Sequence, residues 1–175
     1  DRCDASVVND MKKLHLYLVR HCESLGNREN IFQGQLDLDI SATGEKQLAL
    51  LALRFRNIPI DAVYSSPLKR AYKTAEAVDL YHSLPIIKLP ELMEVDVGAL
   101  SGMKLDKAFA DYPVFAEKWQ NSPQNCIFPE GETTAEVYDR AKKALARVKA
   151  DCMGQTAVIT SHGFLLRCMA CEILE

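Results

Sequence analysis

No run in this 175-residue chain approaches the ~20 apolar residues needed to cross a bilayer. Asp1 to Asp10 also lacks the basic-then-apolar order of a secretory signal. Runs of like charge are missing as well. The 21 basic residues are scattered among 24 acidic ones, and the net charge is -3. That balance gives no basic surface for nucleic acid. There is no internal repeat, no low-complexity tract and no interdomain linker. A disulfide framework is not expected either, although cysteine itself is not scarce. Cys3, Cys22, Cys126, Cys152, Cys168 and Cys171 are irregularly spaced, and a chain of this length needs no staples. They read as reduced thiols of a cytoplasmic protein. Cys168-Met169-Ala170-Cys171 matches a CxxC pattern, but it lies in an apolar helical run and reads as core rather than zinc ligation.

What is present is a soluble globular composition, 48% apolar and 26% charged, at the length of one ordinary domain. Met11-Lys12-Lys13 runs directly into a first strand, so residues 1–10 are expected to be an arm and 11–175 a single domain. Strand-like and helix-like segments alternate, which predicts an α/β architecture. Leu14 to Val19 is a nearly continuous apolar run, as for a strand covered on both faces. Ile60–Tyr64, Pro85–Leu89 and Thr156–Thr160 are the other strand candidates. Ser41 is expected to cap a helix with Leu48, Leu51, Ala52 and Phe55 on its apolar face. Ser66-Pro67 reads as a cap plus first-turn proline before Ala71, Thr74, Ala75 and Val78. Thr133 with Glu136 makes a capping box for a helix striped by Val137, Ala141, Ala144, Leu145 and Val148. The stretch from Gly98 to Pro129 is less regular and is expected to pack over one end of the sheet.

Three motifs fall at predicted strand ends, where open α/β sheets bind ligands. They are Arg20-His21, the segment Ser65-Ser66-Pro67-Leu68-Lys69-Arg70, and Ser161-His162-Gly163. Each histidine alone reads as a strand end bonded to a carbonyl. Two histidines and two arginines gathered at one sheet edge would instead make a phosphate-binding pocket.

With these segments in place, the chain resembles the histidine phosphatase superfamily, in the branch related to cofactor-dependent phosphoglycerate mutases. The matching segments are LVRHCES, FQGQLDLDISATGEKQ, YSSPLKRAYKTAEAV, ELMEVDVGALSG, FPEGET and ITSHG, in that order. The resemblance implies a three-layer α/β sandwich with a mostly parallel sheet flanked by helices. It implies a phosphomonoesterase acting on a small phosphorylated metabolite, with no cofactor and no metal. His21 would be the nucleophile, forming a phosphohistidine. Arg20, Arg70 and His162 would hold the phosphoryl oxygens. Asn27 matches a phosphate-contacting position, Ser24, Gln33 and Gly34 match the substrate entrance, and Gly163 completes the last motif. Glu94 matches the general acid and base, with Asp96 its chemical competitor. Glu132 is expected behind the site rather than in it. The expected partners are a small phosphorylated substrate or inorganic phosphate, with no nucleic acid or membrane and with a dimer left open.

Two departures from the pattern stand out. Cys22 replaces the usual glycine, which costs roughly 1 kcal/mol if the position needs a positive φ. It also puts a thiol beside a basic cluster, where its pKa could fall and make it redox-sensitive. The chain as given ends inside an apolar helical run of Leu165, Leu166, Met169, Ile173 and Leu174. A compact or shortened variant without the usual C-terminal strand or tail is therefore expected. Between a phosphatase and a mutase, the short Leu105 to Pro129 segment, with only Lys107 and Lys118 as bases, favours water as acceptor. A catalytically weak binding module is the remaining alternative. A metal-dependent phosphatase is disfavoured because arginines repel a cation. Phe109, Phe115 and Trp119 are the expected specificity elements.

Overall fold

Four short segments dominated by β-branched and other apolar residues line up as parallel strands in the computed structural model, which describes residues 13–174. They are β1 (His15–Arg20), β2 (Ala62–Ser65), β3 (Ile86–Lys88) and β4 (Thr156–Ser161), in spatial order β1-β4-β2-β3. The helices among the described residues are α1 (Leu25–Arg28), α2 (Ala42–Phe55), α3 (Lys69–Asp79), α4 (Leu105–Asp111), α5 (Pro113–Asn121), α6 (Thr134–Cys152) and α7 (Gly163–Leu174). The expected arm over 1–10 lies outside the described residues.

Side-chain alternation along the central strand splits the core in two. Ala157 and Ile159 face a large cluster with Val137, Ala141, Leu145 and Leu165 of α6 and α7. Val158 faces a smaller one with Phe55, Ala75 and Val78 of α2 and α3. The result is the expected three-layer sandwich. The stripes read for α2, α3 and α6 turn inward as the periodicity predicts. Ser41 caps α2 by accepting the Gly44 N–H at 3.0 Å, and the Thr133–Glu136 box opens α6.

Two local expectations are corrected and one is qualified. β1 is an edge strand whose neighbour is β4, yet it packs on both faces, Leu16 and Leu18 against the larger cluster and Val19 against the smaller. Tyr17 meets Phe55 edge-on and is still 37% exposed. Ser66-Pro67 does not start α3, which begins at Lys69 without a side-chain cap. The Ser66 hydroxyl is instead bonded within the site described below. The stretch from 98 to 129 is more regular than its sequence suggests, since it contains α4 and α5, the latter with proline at its first position.

The strand register sets up the functional edge. Arg20 pairs with Ser161, Ser65 with Thr160, and Ser65 again with Lys88. The carboxyl ends of all four strands are therefore level. The residues that follow them, His21, His162, Ser66 and the segment 89–96, emerge together.

Candidate active site

His21 leaves β1 with its backbone N–H donated to Ser161 O at 2.9 Å. Its Nδ1 lies 2.6 Å from the Cys22 carbonyl oxygen. A carbonyl only accepts, so Nδ1 carries the proton and Nε2 keeps its lone pair. Burial lowers the His21 pKa to about 4; the Arg70 and Arg20 charges act the same way, and the bond to Cys22 opposes them. The imidazole is therefore neutral at pH 7.

Arg70, in the first turn of α3, is a buried cation, 1% exposed. One terminal nitrogen donates to Leu36 O at 2.7 Å and the other to Gly34 O at 2.8 Å. Its Nε has no partner among the described residues. Among the described residues no carboxylate is hydrogen-bonded to it; burial lowers its pKa and the nearby charges of Glu94 and Asp37 oppose that. The two carbonyls reach it because the chain turns sharply at Gly34. There φ is +49°, and an added Cβ would sit 2.6 Å from Val97 Cγ2. Arg20 is exposed and its side chain has no hydrogen-bond partner among the described residues.

His162 lies behind His21, with ring centroids 5.2 Å apart, and is fully buried. Its Nε2 is 2.8 Å from Ser66 Oγ, and its Nδ1 has no partner. Burial and the nearby Arg70 hold its pKa well below the ordinary histidine value. Glu94 approaches from the loop after β3 and caps α7. Its Oε1 accepts from Leu165 N at 3.2 Å and from Val95 N at 3.0 Å, and its Oε2 accepts from Phe164 N at 3.2 Å.

His21, Arg70 and Glu94 floor a cavity of about 320 Å³. Arg20, His21, Asn27, Gln33, Gly34, Arg70, Glu94 and Gly163 all line it, as the sequence motifs suggested. Ser24 and His162 do not. Ser24 is fully buried, donating to Gln33 Oε1 at 2.6 Å and accepting the Asn27 N–H at 3.2 Å. It therefore holds two lining residues rather than an entrance. Asp96 is excluded from the cavity, its carboxylate turned to the Gly98 N–H at 2.9 Å. Glu132 lies outside the cavity lining, as expected.

The cavity wall is aromatic. Trp119 stacks on Phe164 at 5.7 Å, and Phe128 meets Phe164 edge-on. Of the three aromatics read as specificity elements, only Trp119 lines the cavity. Phe115 stacks against Phe109 behind it. Phe128, Phe164 and Arg167 were not singled out in the sequence. Their signal was positional, since Phe164 and Arg167 follow Gly163 on the same face of α7.

Cys22 does not behave as its motif position suggested. It is not among the residues with positive φ, so the expected backbone cost does not arise. Its N–H donates to Thr74 Oγ1 at 3.1 Å, and its sulfur lies 3.3 Å from where a Cβ on Gly44 would be. The thiol points to the start of α2 rather than into the cavity. Burial raises its pKa instead of lowering it. Cys168 is likewise buried, and among the described residues no three His, Cys, Asp or Glu side chains gather as metal ligands. Cys22, Cys126, Cys152, Cys168 and Cys171 are free thiols. Among the described residues no helix is long and apolar enough to cross a membrane.

Fold and site define an α/β protein whose pocket, at the carboxyl edge of a parallel sheet, holds a neutral histidine between unpaired arginine nitrogens. The chain belongs to the histidine phosphatase superfamily (branch 1), whose profile matches residues 16–175. It is 40% identical over 159 residues to phosphoserine phosphatase 1 of Hydrogenobacter thermophilus, covering 91% of this chain and 75% of that protein. It is 32% identical over 161 residues to the probable phosphoglycerate mutase GpmB of Escherichia fergusonii, covering 92% and 75%. Among solved structures, Bacillus stearothermophilus YhfR superposes with a TM-score of 0.87 at 27% identity, over 92% of this chain and 80% of that one.

Proposed function

We propose that the chain is a phosphomonoesterase that hydrolyses small phosphorylated metabolites through a phosphohistidine on His21. The observation that carries this reading is the His21 ring. Its Nδ1–H is fixed on the Cys22 carbonyl, leaving an unprotonated Nε2 at a cavity floor lined by Arg20 and Arg70. A lone pair at that nitrogen attacks phosphorus in line as the ester P–O bond breaks, while Arg20 and the free Arg70 Nε take the phosphoryl oxygens. His162 backs the His21 ring from behind the cavity, with its Nδ1 unpartnered among the described residues. Glu94 gives its proton to the departing alkoxide. It then accepts one from the water that attacks the phosphohistidine, the P–N bond electrons return to Nε2, and inorganic phosphate leaves. No step in this sequence draws on a metal or cofactor.

On the substrate side, Arg167 is exposed at the rim and has no hydrogen-bond or ion-pair partner among the described residues. It lies one helical turn beyond Gly163, about 6 Å along the axis. A phosphomonoester with a second acidic group matches that spacing, and the phosphoserine phosphatase relative agrees with it. The free thiols favour a reducing compartment, and we place the reaction in the cytoplasm.

The test is hydrolysis of p-nitrophenyl phosphate with EDTA present, in wild type and His21→Ala. Activity that resists EDTA and disappears with His21 is expected. Activity lost to EDTA or surviving the substitution contradicts the reading. The GpmB relative makes a mutase the second reading. A coupled assay on 3-phosphoglycerate separates the two, and release of inorganic phosphate rather than transfer is expected.

A further inference from the structure

Behind the cavity, Arg140 of α6 divides the N–H groups of its guanidinium between the Glu132 carboxylate and the loop over 91–94. Nε donates to Glu132 Oε1 at 2.7 Å and one terminal nitrogen to Glu132 Oε2 at 2.8 Å, a bidentate pair. The same terminal nitrogen also donates to Glu94 O at 3.3 Å. The other terminal nitrogen donates to Glu91 O at 2.9 Å and to Met93 O at 3.0 Å. Those are all five donors that the side chain possesses. Three of them end on carbonyls within the four residues that lead to the Glu94 side chain. Glu132 completes the clamp from the far side, accepting the Asp96 N–H at 2.8 Å.

Both clamp residues stand on well-fixed backbone. Arg140 lies in the second turn of a 19-residue helix closed by a capping box, and Glu132 immediately precedes that cap. The Glu94 carboxylate, by contrast, is held by backbone amides alone, Val95 N–H of its own loop at 3.0 Å and the Phe164 and Leu165 N–H groups of α7 at 3.2 Å. Its position therefore depends on where its backbone is put. A displacement of about 1 Å is enough to cost a proton transfer on the order of a hundredfold.

We propose that Arg140, paired with Glu132, is a positioning residue that sets Glu94 at proton-transfer distance from the leaving group. The proposal rests on the phosphomonoesterase reading, in which Glu94 is the acid. Arg140 itself does not line the cavity, and it reaches the lining only through the Glu94 backbone carbonyl. Lysine cannot substitute, because a compact ammonium has three donors and no planar fork.

The test compares two esters of similar size, 2,4-dinitrophenyl phosphate and benzyl phosphate, by kcat/KM, which reports transfer to the histidine. A dinitrophenolate leaves without a proton, whereas a benzyl alkoxide requires one. Arg140→Gln and Arg140→Lys should lower kcat/KM for the benzyl ester at least about tenfold more than for the dinitrophenyl ester. In a Glu94→Gln background the same substitutions should lose that selectivity. Glu132→Gln, which leaves the carbonyl bonds of Arg140 in place, should show the same pattern in smaller measure and carries the test should the Arg140 variants fail to fold. Equal losses on both esters, or losses that persist in the Glu94→Gln background, overturn the proposal alone. A wild-type chain that hydrolyses neither ester overturns the phosphatase reading and the proposal with it.

Discussion

The floor and the rim of the cavity are built on opposite terms. At the floor, His21, Arg70 and Glu94 are locked by backbone groups: the Cys22 carbonyl, the Leu36 and Gly34 carbonyls, and the α7 amides. At the rim, Arg167 is exposed and without a partner among the described residues, beside aromatic side chains supplied by α5, α7 and the loop carrying Phe128. On the proposed reading the floor serves one group, the phosphoryl, and among its buried side-chain atoms in the described residues Arg70 Nε and His162 Nδ1 have no partner. The rim is left free to suit whatever carries that group. Chemistry and specificity are thus held by different classes of contact.

The contrast predicts large effects at the floor. His21→Ala should lower hydrolysis about ten-thousandfold or more, measured as phosphate release under saturating substrate. Glu94→Gln should cost about a hundred- to a thousandfold on alkyl esters and much less on nitrophenyl esters. His21 also ties the site to stability. The folded chain keeps it neutral down to about pH 4, whereas an unfolded histidine protonates near 6.5. Its contribution is therefore complete above pH 6.5 and is lost as the pH falls from there toward 4. Denaturant melts across that window should show a shallower decline in His21→Asn than in wild type. A His21 imidazole resonance titrating near 6.5 would contradict the burial argument.

Effects at the rim should be smaller and selective. Arg167→Gln should raise KM about three- to tenfold for O-phosphoserine and 3-phosphoglycerate while leaving p-nitrophenyl phosphate within twofold. A uniform change across all three would erase the distinction between floor and rim. The smallest catalytic effect is expected at Cys22, whose thiol faces α2. Cys22→Gly should leave kcat/KM within about twofold and cost about 1 kcal/mol of stability by thermal melt.

Legibility follows the same division. Arg20-His21, Arg70 and Ser161-His162 could be placed because strand ends and short polar motifs are local signals, and parallel strands bring such ends to one edge. Glu94 against Asp96 could be chosen only by resemblance. The structure separates them through the α7 amides, which sit some 70 residues away along the chain. The motifs place His162 and Ser24 beside the site, and the fold puts both outside the cavity lining, because a motif gives adjacency but not depth. Cys22 was read against a glycine that another backbone would need, and its own φ does not require one. Arg140 left no signal. A charged residue on a helix reads as solvated surface until the carbonyls that meet it are folded into place.

The central claim is that the phosphoryl group rests on one ring nitrogen of His21. Rapid quenching of turnover with a phosphorus-labelled ester, followed by peptide mapping, tests it most directly. An acid-labile, alkali-stable label on the peptide containing His21, absent from His21→Ala, is the expected result. A label on any other residue, or steady turnover by His21→Ala, would contradict the account.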